Sequence, residues 1–217
     1  MRPAEEAAMM GEPHRDAVGG LWDEIGRLQI DFLRGQGLRP GDALLDVGCG
    51  SLRGGVHFVA FLEPGRYYGI DKDAELIRAG LEIEIPRAGL AGRLSPDHLA
   101  VTDAFDGARF GVAFDVAWAQ SVFTHLRAPE IRRCLEQTAR CVRSGGRFFA
   151  TFFQCGEDPT APVTHASGGI TTRHDQDPYH YRFRDLAALT EGLSWRAESI
   201  GEWSHPRGQR MLRFDRL

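Results

Sequence analysis

The first clear pattern in the chain is helical: Leu21, Ile25, Leu28 and Phe32 recur at a spacing of three to four residues, and Gly35 and Gly37 end the run. This predicts an amphipathic N-terminal helix, and the polar stretch of about sixteen residues before it is expected to be mobile. After the turn Arg39-Pro40-Gly41-Asp42, the apolar run Ala43-Leu44-Leu45-Asp46-Val47 is too short for a helix and reads as a buried strand. A glycine-rich loop follows, then a predicted helix over 52–62, a break at Pro64-Gly65 and a second strand over 67–71. The alternation continues with a helix over 74–85 and strands over 99–103 and 114–119. Ile131, Cys134, Leu135, Thr138 and Val142 mark the buried face of a further helix that stops at Ser144-Gly145-Gly146, before the β-prone run 147–153.

Residues 156–182 lose this rhythm. A stretch of that length rich in Gly, Pro, Thr, His and Asp is more often a lid or binding loop than a connector, so it is the expected substrate segment. The tail predicts a helix over 183–193 and strands over 195–203 and 210–214, parted by His205-Pro206-Arg207-Gly208. Strands and helices alternating through such short turns imply an α/β fold with a mainly parallel sheet covered on both faces. The expected division is an N-terminal segment and lid helix over 1–37 and a single domain over 38–217.

Composition narrows the function. The 217 residues, 42% apolar and 26% charged, suit one globular domain. The formal charge of −4, from 26 basic and 30 acidic residues, removes the broad attraction that drives nonspecific nucleic-acid binding, so a nucleic-acid partner is not expected. No stretch approaches the roughly 18 uninterrupted apolar residues of a membrane span, and the polar start has no signal-like apolar run, which makes cytoplasmic residence the default. Cys49, Cys134, Cys141 and Cys155 show no CxxC or zinc spacing and are expected as reduced thiols, with no metal bound. A homodimer is compatible with the sequence.

The informative segment is Leu44-Leu45-Asp46-Val47-Gly48-Cys49-Gly50-Ser51-Leu52-Arg53-Gly54-Gly55. Gly48 and Gly50 let a strand turn sharply into a helix, where backbone N–H groups and the positive helix end can face a ligand. A dinucleotide loop would read GxGxxG, but Arg53 takes the third glycine position. Asp46 would repel a pyrophosphate and attract an ammonium group. Asp71, 21 positions after Gly50, can accept from both hydroxyls of a ribose, and Asp103 from the amine of an adenine covered by Ala104 and Phe105. Together these acids describe S-adenosylmethionine.

The ordered series LLDVGCGSLRGG, YYGIDKD, VTDAFD, FDVAWAQSVFTHL and CVRSGGRFFATFF, within residues 43–153, resembles the motifs of the class I S-adenosylmethionine-dependent methyltransferases. The resemblance implies a Rossmann-like seven-stranded sheet whose last strand runs antiparallel. It implies cofactor contacts at Asp46, Gly48, Cys49, Gly50, Asp71, Lys72, Asp103, Ala104 and Gln120, with Gln120 near the methionine end, and Arg53 is expected beside them. Relatives that methylate nucleobase amines carry D/N-P-P-Y/F after the fourth strand, where this chain has Ala119-Gln120-Ser121-Val122. More loosely, LRGG and HPRGQRML resemble small bacterial methyltransferases acting on natural products or sugars.

Methyl transfer from a sulfonium needs alignment and exclusion of water, and a base only where the acceptor is a protonated hydroxyl. His125, following the fourth strand, is the leading base, with His180 as a second candidate. Trp22, His165 and His205 are expected at the small-molecule acceptor. The alternatives are transfer to nitrogen of an amine or peptide, and a noncatalytic cofactor-binding protein. The first predicts a pH profile set by the acceptor, and the second predicts binding without turnover.

Overall fold

The computed structural model describes residues 12–217. The helices α1 (Pro13–Ala17) and α2 (Trp22–Gly35) precede β1 (Leu44–Val47), α3 (Gly55–Phe61), β2 (Tyr67–Asp71) and α4 (Ala74–Ala79). A π-turn over Gly80–Glu84 leads into α5 (Ile85–Arg87), and then come β3 (Leu99–Val101), β4 (Phe114–Ala119), α6 (Ala128–Thr138) and β5 (Val142–Gln154). The segment expected as a substrate loop holds the hairpin β6 (Val163–Thr164) and β7 (Thr171–Thr172), then β8 (His180–Tyr181). The chain ends with α7 (Phe183–Ala188), β9 (Trp195–Gly201) and β10 (Arg210–Arg216).

The sheet order is β3-β2-β1-β4-β5-β10-β9, with β8 joined in parallel to the end of β5. Strands β1 to β5 are parallel, and β10 lies antiparallel between β5 and β9. The expected seven-strand sheet with a reversed last strand is therefore present. Its physical basis is burial on both faces: Leu44, Val116, Trp118 and Phe149 point into one apolar layer, while Leu45, Ala117, Phe148 and Phe214 point into the other. Buried indoles keep partners, Trp118 Nε1 donating to Gln29 Oε1 at 2.8 Å and Trp195 Nε1 to the Leu135 carbonyl at 2.9 Å.

Several boundaries differ from the sequence expectation, each for a local reason. The helix expected over 52–62 begins at Gly55, because Leu52 sits in the left-handed region at φ 67°. Val142, assigned to a helix face, starts β5 instead and pairs with Phe114. The pairing slips between Phe114 and Val116, so Ser144-Gly145-Gly146 form an irregularity inside β5. The third strand stops at Val101 and the helix after the substrate segment at Ala188. Of the opening stretch expected to be mobile, residues 13–16 fall within α1, and residues 1–11 lie outside the described residues. The expected lid helix, α2, is a core layer: Phe32 packs its ring on Trp118, Phe149 and Trp203 at 5.4–5.9 Å between centroids.

Candidate active site

A cavity of about 800 Å³ opens at the carboxyl ends of the parallel strands, around the point where the chain order reverses between β1 and β4. The end of β1 supplies Asp46, Gly48, Cys49 and Gly50, and Arg53 follows. Asp71 closes β2 and Lys72 follows it, Thr102, Asp103 and Phe105 follow β3, and Gln120 and Ser121 follow β4. Thr124 and His125 come from the short turn Phe123–His125, and Phe153 from the end of β5. Of the expected cofactor residues only Ala104 is absent from the lining. Its N–H donates to Thr102 Oγ1 at 3.0 Å, and Phe105 faces the cavity in its place.

The glycine loop departs from expectation in its donors. Gly48 and Cys49 donate to the Ile70 carbonyl at 2.8 and 3.1 Å, Gly50 donates to Asp71 Oδ2 at 2.8 Å, and Leu52 to the Cys49 carbonyl at 3.0 Å. These N–H groups are engaged within the fold and do not face a ligand. What the glycines provide is approach: Gly48 has φ 74°, and a Cβ there would lie 2.5 Å from Val122 Cγ2. With the N–H groups of Gly48, Cys49 and Gly50 all engaged, this turn is no pyrophosphate cradle, in keeping with Arg53 at the third glycine position.

Charge in the cavity is organised around two buried groups. Asp46, 4% exposed, accepts from the Tyr67 hydroxyl at 2.9 Å. Burial pushes its carboxyl up to about 7, against the opposing pull of that hydrogen bond. Arg53, 6% exposed, donates through Nη1 to the Val18 and Gly20 carbonyls and through Nη2 to Gln120 Oε1 at 2.6 Å. Burial, then the nearby Arg207, lower its pKa to about 10, which leaves it charged at neutral pH. Among the described residues its Nε is buried with no hydrogen-bond partner. The Cys49 thiol is pushed well up by burial and is no nucleophile. All four cysteines are free, as expected.

The histidines separate. His125, 57% exposed in its side chain, lines the cavity and pairs through Nδ1 with Asp177 Oδ1 at 2.6 Å. The carboxylate can only accept, so Nδ1 carries a proton, and whenever the ring is neutral the lone pair lies on Nε2. His180 is buried away from the cavity, with Nδ1 on the Thr172 hydroxyl at 2.8 Å and Nε2 on the Pro159 carbonyl at 2.9 Å. Both its nitrogens are occupied, which removes it as a base. His165 and His205 line a neighbouring cavity, and burial holds both below the usual imidazole range, His205 at about 4. Trp22, expected at the acceptor, instead lies under Arg15 at 4.5 Å and against the edge of His14.

Other lining residues come from segments that carry no motif. Val18 and Gly19 reach the cavity from the turn after α1, and Arg207 and Gln209 from the loop before β10. The Gln209 amide ties Ser121 to Thr151, with bonds of 2.6–3.1 Å. That network holds Ser121 at φ 58°, in the left-handed region that non-glycine residues seldom adopt. Among the described residues, Glu12, His14 and Glu84 bring metal-ligand atoms within 4.8 Å of one another. Arg15 and Arg87 already neutralise Glu84, so the group reads as an ion-pair cluster.

Residues 45–148 match a family model described as a methyltransferase domain. Among solved structures, magnesium protoporphyrin IX methyltransferase (ChlM) from Synechocystis PCC 6803 with bound SAM aligns at TM-score 0.63 and 14% identity, over 89% of this chain and 81% of that one. A DhpI–SAH complex aligns at 0.60 and 18%, over 99% and 91%. A putative rRNA-methylase from Clostridium thermocellum aligns at 0.61 and 10%, over 90% and 96%. At these identities the likeness is one of fold, shared by proteins with differing acceptors.

Proposed function

We propose that this chain is a class I S-adenosylmethionine-dependent methyltransferase, a reading supported by its match to a methyltransferase-domain model over residues 45–148, and that it methylates an oxygen of a small molecule, such as a natural product or sugar. The cavity fits the cofactor on its own chemistry. Asp46 suits the ammonium of the methionine part, and the charged Arg53 in the same lining suits its carboxylate. Asp71 uses one lone pair of each oxygen on Gly50 and Asp73 N–H and keeps others for ribose hydroxyls. Asp103 is placed for the adenine amine, with Phe105 over the ring, Lys72 at the rim and Gln120 near the methionine end. The bound cofactor supplies an electrophilic methyl on a sulfonium.

Everything else is positioning. Val18 and Gly19 shield the cavity from water, and the Gln120–Ser121–Gln209 network fixes the wall beside the reacting region. His125 takes the acceptor's hydroxyl proton at Nε2, and Asp177 holds the ring in that tautomer. The His125–Asp177 pair at the cavity wall is the observation that favours oxygen over nitrogen, since a neutral amine needs no base. The test is labelled methyl transfer across hydroxyl and amine acceptors, with His125→Ala. Expected is a fall in kcat of about 10²–10⁴ with cofactor affinity unchanged. Unchanged turnover at saturating acceptor would transfer the reading to nitrogen. In this reading the turn after α1, through Val18 and Gly19, covers the cofactor and the 156–182 segment covers the acceptor.

A further inference from the structure

Beyond Gln209 lies a second cavity of about 490 Å³, walled by the end of β5, the β6–β7 hairpin and the loop between β9 and β10. Gln209 lines both cavities, and His205 in the second stands 3.2 Å from the Gln120 amide of the first. The two differ in charge. The first is lined by charged side chains such as Asp71, Lys72 and Asp103, whereas in the second Glu202 and Arg210 pair with each other at 3.1 Å and offer a ligand no net charge. What remains is neutral and polar. Among the described residues, no hydrogen bond engages the side chains of Gln154, Ser167 or Ser204. Trp203 adds a flat wall, stacked on His205 at 5.3 Å.

The hydrogen-bond direction at His165 follows from a chain of obligations. The Pro159 carbonyl can only accept, so a neutral His180 donates from Nε2 and accepts at Nδ1. Its Nδ1, at 2.8 Å, takes the Thr172 hydroxyl proton in preference to the more distant Val163 carbonyl at 3.4 Å, and the Thr172 oxygen then accepts from His165 Nε2–H at 3.0 Å. His165 is left with a lone pair on Nδ1, which has no partner among the described residues and is not sealed from solvent. Its ring is steadied by Phe153 at 4.5 Å, and Phe153 itself lines the first cavity. The buried His180 thus has a use outside the chemistry, as the anchor that sets the tautomer of an accessible imidazole.

We infer that the second cavity binds the part of the acceptor remote from the reacting atom, that this part is neutral and bears several hydroxyl groups, and that Nδ1 of His165 accepts a hydrogen bond from one of them. Closely spaced hydroxyls both donate and accept, which matches an uncharged wall of amide, hydroxyl and imidazole groups better than an ion or a hydrocarbon would. The word acceptor here rests on the methyltransferase reading above.

The test uses the full chain with ¹⁵N-labelled histidine, saturated with S-adenosylhomocysteine, and methyl α-D-glucopyranoside as the polyol probe. Expected is a His165 ring protonated on Nε2 before the probe is added, then a saturable shift of its Nδ1 resonance. Ser167→Ala and Gln154→Ala should each weaken the probe by about threefold to tenfold, with S-adenosylhomocysteine affinity unchanged. A proton on Nδ1 of His165, or no saturable shift, overturns the inference. Calorimetry with S-adenosylhomocysteine on the same sample separates the two claims: a missing heat beside an intact His165 response overturns the acceptor assignment and retains the polyol site.

Discussion

Asp46 carries a cost of burial that a proton relieves in the free protein and a ligand ammonium would relieve at the site. With its carboxyl pushed up to about 7 by burial, from the usual 3.8, the folded chain holds a proton that the unfolded chain releases between those values. Stability from this group is therefore greatest below pH 4 and falls as the pH rises through 7. Asp46→Asn should flatten that slope and raise the melting temperature of the ligand-free protein, about 2–4 °C for each kcal/mol recovered. A ligand ammonium favours the charged carboxylate, so S-adenosylhomocysteine affinity should climb by up to about tenfold per unit below pH 7 and level off above it. A pH series of melting curves and titrations reads both, and a flat affinity profile would remove Asp46 from the site. Tyr67→Phe removes the hydroxyl that favours the charged form, so it should move the same inflection to higher pH.

At the scale of elements, a short helix and a π-turn act as one. Glu84, in the turn Gly80–Glu84, is buried and receives hydrogen bonds from His14 and Arg15 of α1. Burial alone would push its carboxyl up, but those bonds outweigh it and hold the group below its ordinary value. The latch is therefore complete above the usual glutamate range and weakens only in acid. From it, the chain passes over the glycine loop: Ser51 donates to the His14 carbonyl at 3.0 Å, and a Cβ on Gly50 would lie 2.7 Å from Val18. Glu84→Ala should cost about 1–3 kcal/mol and speed hydrogen exchange over residues 13–20, with faster cofactor release. Gly50→Ala should likewise loosen the segment while leaving Glu84 paired, because the added methyl displaces Val18. Exchange rates that stay unchanged in both variants would show that the segment is held by other contacts.

For the molecule as a whole, what could be read in the sequence is what lies close together along the chain. The acids that line the cavity lie at or just past strand ends, and strand ends were visible as apolar runs meeting glycine or acidic residues, so Asp46, Asp71 and Asp103 could be placed without coordinates. Contacts that join distant segments left no such trace. Val18 over Gly50, Arg207 with Gly19, Gln209 with Ser121 and Asp177 with His125 each need the folded topology to meet. His180 misled because a buried histidine holding a hydrogen-bond chain has the same letter as a catalytic one. The loop donors misled because the strand beside them, which takes their hydrogens, is encoded about twenty residues later.

The central claim is that the cavity at the ends of β1, β2 and β4 is built for a sulfonium nucleoside, and calorimetric titration of the full chain with S-adenosylhomocysteine at pH 7.5 tests it most directly. The account predicts a single site, weakened about tenfold to a hundredfold in Asp71→Ala, whose carboxylate would face the ribose. An absence of heat with ligand raised to about 1 mM, weaker than any useful cofactor site, would contradict it.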